Sequence, residues 1–149
     1  MSVFLPRRLQ YSLNGDARDV AHEELLEFTS NIVLLGEAGG GKTKLTKWLG
    51  SPDHSGHVRC TARQLINGDG RQLLGNHRVL VIDALDEVAA KADGDAVDLT
   101  LRALRDAGYP QFILSCRLSE WRAATMVEAI REQYGDAPLQ VELRPLDAE

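Results

Sequence analysis

Short apolar runs alternate with stretches of helical periodicity along most of the chain. Unbroken apolar runs are typical of strands covered on both faces of a parallel sheet, and they occur within residues 31–35, 78–83 and 111–115. A last strand is predicted at 139–143, and 57–61 is a weaker candidate. Apolar residues three and four positions apart predict amphipathic helices, at 19–29, 42–50, 96–107 and 119–134, with shorter helical pieces within 62–74. This alternation predicts βαβ units. We therefore predict an α/β fold, a three-layer sandwich with a mostly parallel five-stranded sheet.

Length and composition fit one globular domain. The chain has 149 residues, of which 44% are hydrophobic and 26% charged, and this composition argues against disorder. The longest aliphatic runs are far shorter than the roughly 20 apolar residues that a membrane-spanning helix needs, and the first residues lack the apolar stretch of a signal peptide. Two cysteines, Cys60 and Cys116, do not make a disulfide framework. We expect a cytoplasmic protein without a membrane partner.

Charge and aromatic content disfavour a nucleic-acid interface. The formal net charge is −5, and aromatic residues make up only 5% of the chain. A general nucleic-acid binder is usually basic, and single-strand binders need aromatic stacking platforms. No direct nucleic-acid binding is predicted for this region.

A glycine-rich segment between the first strand and the first strong helix carries the clearest chemistry. It fits the phosphate-loop pattern G-x-x-x-x-G-K-[ST] without a mismatch, and strand and helix stand where that pattern requires them. Glycines let backbone N–H groups approach phosphate oxygens, and the helix N-terminus adds partial positive charge. Lys42 would reach the β- and γ-phosphates, and the Thr43 hydroxyl would coordinate Mg²⁺. The predicted cofactor-binding residues are Gly36, Glu37, Ala38, Gly39, Gly40, Gly41, Lys42, Thr43 and Lys44.

The strand at 78–83 ends in an acid and is followed by more acids. Asp83 closes the run Val-Leu-Val-Ile-Asp, and Asp86 and Glu87 come shortly after it. In a P-loop protein the strand-end acid stands on the Mg²⁺ side of the nucleotide, so Asp83 joins Thr43 as a predicted metal residue. Asp86 and Glu87 are both candidates to orient or activate the attacking water, and the sequence leaves open which one does so.

The two motifs together resemble the NACHT group of STAND ATPases, in which G-E-x-G-x-G-K-[ST] is paired with an acid-extended strand hhhhD-[GAS]-h-D-E. Residues 112–117, Phe-Ile-Leu-Ser-Cys-Arg, look like the sensor-1 strand of that family. By this resemblance Arg117 would lie near the γ-phosphate and report its presence. An arginine at a strand end is also a suitable fork donor to anionic oxygens.

The resemblance implies more about architecture and role. It implies strand order 5-1-4-3-2 with ATP, together with Mg²⁺, across the strand ends, and an ATP- or ADP-controlled switch that self-associates in the full-length protein. Such switches act in innate immunity and, in bacteria, in anti-phage defence. We expect an N-terminal segment, 1–30, with a helix leading into a core at 31–149 that stops before the family's helical lid and winged helix. Weak hydrolysis, or binding without hydrolysis, is therefore expected.

Two other functions stay open at this point. A small-molecule kinase suits the size of the chain, but such enzymes use an arginine-rich lid, and no arginine cluster stands between the last predicted helix and strand. The other alternative is a nucleotide-binding interaction module without turnover. Measurements of nucleotide binding and of phosphate release separate these alternatives.

Overall fold

The computed structural model describes residues 8–13, 16–20, 24–25, 27, 29–36, 42–51, 56–83, 96–117, 121 and 123–144. Within these ranges seven strands and five helices follow one another along the chain. The strands are β1 (Arg8–Leu13), β2 (Asp16–Val20), β3 (Ile32–Gly36), β4 (His57–Thr61), β5 (Val79–Asp83), β6 (Gln111–Arg117) and β7 (Leu139–Arg144). The helices are α1 (Lys42–Leu49), α2 (Ala62–Asn67), α3 (Gly70–Leu74), α4 (Ala96–Asp106) and α5 (Ala123–Tyr134).

All seven strands form one sheet in the order β2-β1-β7-β3-β6-β5-β4. The pairs β7–β3, β3–β6, β6–β5 and β5–β4 are parallel, whereas β1 pairs antiparallel with both β7 and β2. The α/β class and the mostly parallel sheet are therefore confirmed. The predicted count of five strands is wrong, and the order of the whole sheet differs from the predicted one. The five predicted strands are neighbours within it, and β1 and β2 extend the sheet beyond β7.

The two additional strands were not predicted, and both lack the unbroken apolar runs of β3, β5 and β6. In β1, Leu9, Tyr11 and Leu13 alternate with polar residues, which is the pattern of a strand with one covered face. Leu9 is buried in the core. The strand β2 carries mostly charged and small residues, as edge strands often do. The period-two alternation of β1 was the available signal.

Two predicted helices need correction: the described residues within 19–29 include no α-helix, and the helix predicted from residue 119 starts later than predicted. The helix predicted at 19–29 overlaps β2, because Asp19 and Val20 belong to that strand. The described residues that follow include a short 3₁₀ turn at Glu24 and Leu25, and Leu25 is fully buried. The helix predicted from residue 119 begins at Ala123 instead.

The sheet buries side chains on both faces. Alternate residues of the central strands, including Val79, Val81 and Ile113, pack with Leu45 and Leu49 of α1. Residues of the opposite parity pack against helices α2, α4 and α5: Leu80, Ile82, Phe112 and Leu114 with Leu65, Leu104 and Ile130. Burial on both faces explains why these strands read as unbroken apolar runs. Both cysteines are buried free thiols, and no helix in the described part of the chain has the length and apolarity to cross a bilayer.

The end of α1 approaches β4 so closely that only glycine fits between them. A Cβ atom on Gly50 would lie 2.4 Å from the Arg59 Cβ and 2.8 Å from its backbone nitrogen. Since real Cβ atoms do not approach so closely, Gly50 sets the distance between α1 and the edge strand β4. This contact packs the backbone of Arg59 tightly against the end of α1.

The variant Gly50→Ala is expected to lower the free energy of unfolding by about 2–3 kcal/mol, because the added methyl group must push α1 away from β4. Urea denaturation followed by circular dichroism measures this change. Lys47→Ala is the matched control, because Lys47 is exposed on the same helix and its loss should change stability by less than about 0.5 kcal/mol. A Gly50→Ala protein as stable as the wild type would contradict the close contact.

Candidate functional site

Three strands bring sequence-predicted residues to one edge of the sheet. Gly36 ends β3, Asp83 ends β5 and Arg117 ends β6. These strands are parallel, so their carboxyl ends lie at the same edge, where open α/β sheets bind ligands. In the register of β3 and β6, Gly36 is directly opposite Arg117. The first residue of the glycine-rich segment is therefore a neighbour of the predicted γ-phosphate sensor.

The structure describes some of the predicted site residues and not others. The helix α1 begins at Lys42, in agreement with the sequence pattern. The side chains of Lys42, Thr43 and Lys44 are not described. The remaining predicted site residues lie outside the described residues: Glu37, Ala38, Gly39, Gly40, Gly41, Asp86 and Glu87.

The centre of the described site is the carboxylate of Asp83. Its Oδ1 accepts a hydrogen bond of 2.6 Å from the Ser115 hydroxyl of β6. Its Oδ2 accepts one of 2.6 Å from Nη2 of Arg59, on β4, and the two charges form an ion pair. Nε of Arg59 donates to Oγ1 of Thr46 at 3.3 Å, and Thr46 also hydrogen-bonds Asp83. We refer to Arg59, Asp83, Ser115 and Thr46 as the Asp83 network.

The register explains why these side chains meet. Val81 pairs with Arg59 on one side and with Ile113 on the other. Asp83 and Ser115 each lie two residues further along their strands, so they share the sheet face of Val81 and Ile113. That face packs against α1, which supplies Thr46. The Asp83 carboxylate thus lies between the sheet and the helix that begins at Lys42.

The network keeps a buried acid ionised. Asp83 is 4% exposed, and this burial by itself raises the pKa of its carboxyl. The hydrogen bonds from Ser115 and Arg59, the positive charge of Arg59 and the hydrogen bond from Thr46 together outweigh burial and hold the pKa below its ordinary value of 3.8. At neutral pH the end of β5 therefore carries a buried negative charge with one cation beside it.

Sequence reasoning missed Arg59 and Thr46 as site residues. Arg59 is a charged residue at the centre of the short strand β4, flanked by the half-buried Val58 and the buried Cys60, and such a residue usually has a charged partner. Thr46 is fully buried among the apolar residues of α1. These were the available signals, but neither one identifies Asp83 as the partner.

No protein-family model and no curated protein sequence matches the chain. Solved structures do match it. AMPPCP-bound DnaA from Aquifex aeolicus superposes with a TM-score of 0.52 and 17% identity, over 83% of this chain and 44% of that chain. A DNA replication initiation factor superposes with a TM-score of 0.55 and 15% identity, over 85% and 44% of the two chains. A replication initiator DnaA bound to AMPPCP and single-stranded DNA gives a TM-score of 0.52 and 16% identity, over 85% and 44%.

These neighbours are P-loop ATPases of the AAA+ type, and at such low identity the likeness concerns the fold alone. The chain has a P-loop NTPase fold. Membership of the NACHT group is not shown by these neighbours. The chain spans less than half the length of each of these structures.

The variant Asp83→Asn should lower the free energy of unfolding at pH 7 in the absence of divalent metal. Breaking a buried ion pair leaves the Arg59 guanidinium uncompensated, and because that side chain is 23% exposed the loss should be about 2–3 kcal/mol. The folded-state pKa of Asp83 is below 3.8, so the ionised form stabilises the fold fully above about pH 5, and this contribution is lost as the pH falls through 3.8 toward the folded-state pKa.

Denaturation of wild type and variant between pH 7 and pH 3, in EDTA, measures this difference. The difference in free energy of unfolding between the wild type and Asp83→Asn should be constant near neutral pH and should become smaller in acid. Asp136→Asn removes an exposed carboxylate and should stay within about 0.5 kcal/mol of the wild type throughout. A gap that widens in acid would show that the ionised form of Asp83 does not stabilise the fold.

Proposed function

We propose that this chain is the Mg²⁺-dependent ATP-binding core of a NACHT-like switch domain. The observation that carries the proposal is the buried, ionised Asp83 at the end of β5. It stands at the sheet edge that also holds Gly36 and Arg117, and it lies against α1. A P-loop fold places its metal-side acid at this position.

The Asp83 carboxylate fits a magnesium ion. Mg²⁺ is a hard cation that prefers oxygen ligands and usually retains several waters, with one or two carboxylates beside the substrate phosphates. An acid that stays ionised carries the negative charge that such an ion requires, whether the ion binds directly or through water. When bound, Mg²⁺ supplies charge neutralisation for the phosphates. Thr43 and Asp83 would hold the ion.

The other proposed roles follow from charge and position. Lys42 would hold the β- and γ-phosphates at the start of α1, and backbone N–H groups of residues 36–44 would surround them. Arg117, opposite Gly36 in the register, would contact the γ-phosphate as a fork donor. Asp86 or Glu87 would orient the attacking water. Together these residues would act by positioning and charge stabilisation, as in phosphoryl transfer generally.

The switch role is the finer part of the proposal, and it is supported by the resemblance of the motifs to NACHT proteins. ATP and ADP would favour different arrangements of the strand-end residues, and self-association of the full-length protein would follow the nucleotide state. The division into a segment at 1–30 and a core at 31–149 belongs to the same proposal, although β1 and β2 extend the core sheet. The AMPPCP-bound neighbours support nucleotide binding on this fold.

Binding of ATP by the purified chain, measured calorimetrically with Mg²⁺, tests the proposal. Wild type should bind saturably, and Lys42→Ala should weaken binding at least about tenfold, because a charge-assisted contact to phosphate is lost. Lys47→Ala is the matched control, since it removes an exposed lysine of the same helix and should leave the affinity unchanged. An absence of saturable binding to the wild type, or equal binding by Lys42→Ala, would overturn the proposal.

Phosphate release by the same proteins separates the alternatives. Slow release without an acceptor supports a switch ATPase, and binding without release supports a switch that depends on further domains or an interaction module. Transfer of phosphate to a metabolite would indicate a small-molecule kinase and would contradict the switch. Asp83→Asn should reduce any release that depends on Mg²⁺.

A further inference from the structure

Arg59, which lies outside the phosphate-loop and strand-end motifs, forms an ion pair with Asp83, the proposed acid on the metal side of the nucleotide. Nη2 of Arg59 lies 2.6 Å from Oδ2 of Asp83, and the Ser115 hydroxyl holds the other carboxylate oxygen. Both oxygens of Asp83 therefore have a protein partner. A metal cation bound at this carboxylate would therefore lie close to the positive charge of Arg59.

The two partners of Asp83 differ in how easily they can leave. Ser115 is fully buried between neighbouring strands, so its hydroxyl stays beside Asp83. The Arg59 side chain is 23% exposed, its Nε contact with Thr46 is longer at 3.3 Å, and β4 is the edge strand of the sheet. A long side chain on an edge strand can turn its charged end into water.

The backbone of Arg59 is packed tightly against the end of α1. Gly50 lies against the backbone nitrogen and Cβ of Arg59 without space for a methyl group. Rotation of the Arg59 side chain toward solvent requires no change in this backbone packing. The guanidinium can exchange between Asp83 and solvent while strand and helix stay in place.

From this arrangement we propose that Arg59 and a divalent cation compete for the carboxylate of Asp83, so that Arg59 sets the Mg²⁺ concentration at which nucleotide is held. The inference rests on the proposed function. Like charges a few ångströms apart repel strongly in a partly buried site. Mg²⁺ bound at Asp83, directly or through water, displaces the guanidinium toward solvent, and the ion pair re-forms when the metal leaves.

A purely supporting role for Arg59 makes the opposite prediction. If Arg59 only oriented the carboxylate for the metal, its removal would weaken metal binding. If Arg59 competes, its removal strengthens metal binding. The direction of the change in Mg²⁺ dependence therefore decides between the two roles, and a change in total nucleotide affinity does not.

The experiment is a titration of free Mg²⁺ at a fixed concentration of ATP labelled with a fluorophore on the ribose, with binding followed by fluorescence anisotropy. Arg59→Met, which retains much of the apolar length of the side chain, should lower the Mg²⁺ midpoint about tenfold, a conservative figure for the removal of a nearby like charge. Arg59→Lys keeps the charge but is more strongly hydrated and loses the fork geometry, so its midpoint should fall less.

Arg78→Met is the matched control. It removes the same charge from an exposed residue that precedes β5, at the opposite end of that strand from Asp83, and its midpoint should equal that of the wild type. Thermal melts followed by circular dichroism verify that each variant is folded. If Arg59→Met does not fold, the Mg²⁺ midpoint of Arg59→Lys decides instead. A midpoint below that of the wild type supports competition, and an equal or higher midpoint overturns it.

The outcomes separate this inference from the proposed function. Binding by all variants with an unchanged or higher midpoint in the Arg59 variants overturns the competition and leaves ATP binding intact. Full binding of labelled ATP by the wild type in EDTA also overturns it. Failure of the wild type to bind labelled ATP at any Mg²⁺ concentration overturns both. A lower midpoint in both Arg59 variants, with Arg78→Met unchanged, supports the competition.

Discussion

The structure depends on the contacts that keep the buried carboxyl group of Asp83 ionised. A carboxylate buried without partners would either take up a proton or destabilise the fold by several kcal/mol. At Asp83 this is avoided because donors converge from three directions: Arg59 from β4, Ser115 from β6 and Thr46 from α1. The same contacts connect the edge strand, a central strand and the helix after the glycine-rich segment. A single charge thus links local stability to the candidate chemistry.

The sheet supplies the positional accuracy that this network requires. Parallel pairing fixes which residues of β4, β5 and β6 are neighbours, and the two-residue period fixes the face on which they lie. A shift of one residue in any of the three strands would turn a member of the network to the opposite face. The apolar residues on both faces of β5 oppose such a shift, because they would exchange their packing partners. Core packing therefore holds the polar site in register.

Much of the fold could be predicted from the sequence, and the reason is burial. The strands at 31–35, 78–83 and 111–115 are apolar because both faces are covered, so their composition reveals them without knowledge of partners. The strands β1 and β2 contain polar and charged residues at many positions, so their sequence pattern is a weaker signal of a strand. At the site, Asp83 and Arg117 could be located because motifs fix their distance from a strand end. Arg59 could not be assigned, because its partner is 24 residues away in sequence and only strand order brings the two together.

The fold and the proposed function rest on different observations. Structural likeness to AMPPCP-bound DnaA establishes the fold, whereas the residues at the strand ends carry the proposal of an ATP-binding switch. The most direct test of that proposal is a crystal structure of this chain grown with Mg²⁺ and AMPPCP. We expect phosphates at the sheet edge beside Gly36, the terminal phosphate within hydrogen-bond distance of Arg117, and a metal ion beside Asp83 with Arg59 turned away. A nucleotide bound elsewhere on the molecule, with Arg59 and Asp83 still paired, would contradict it.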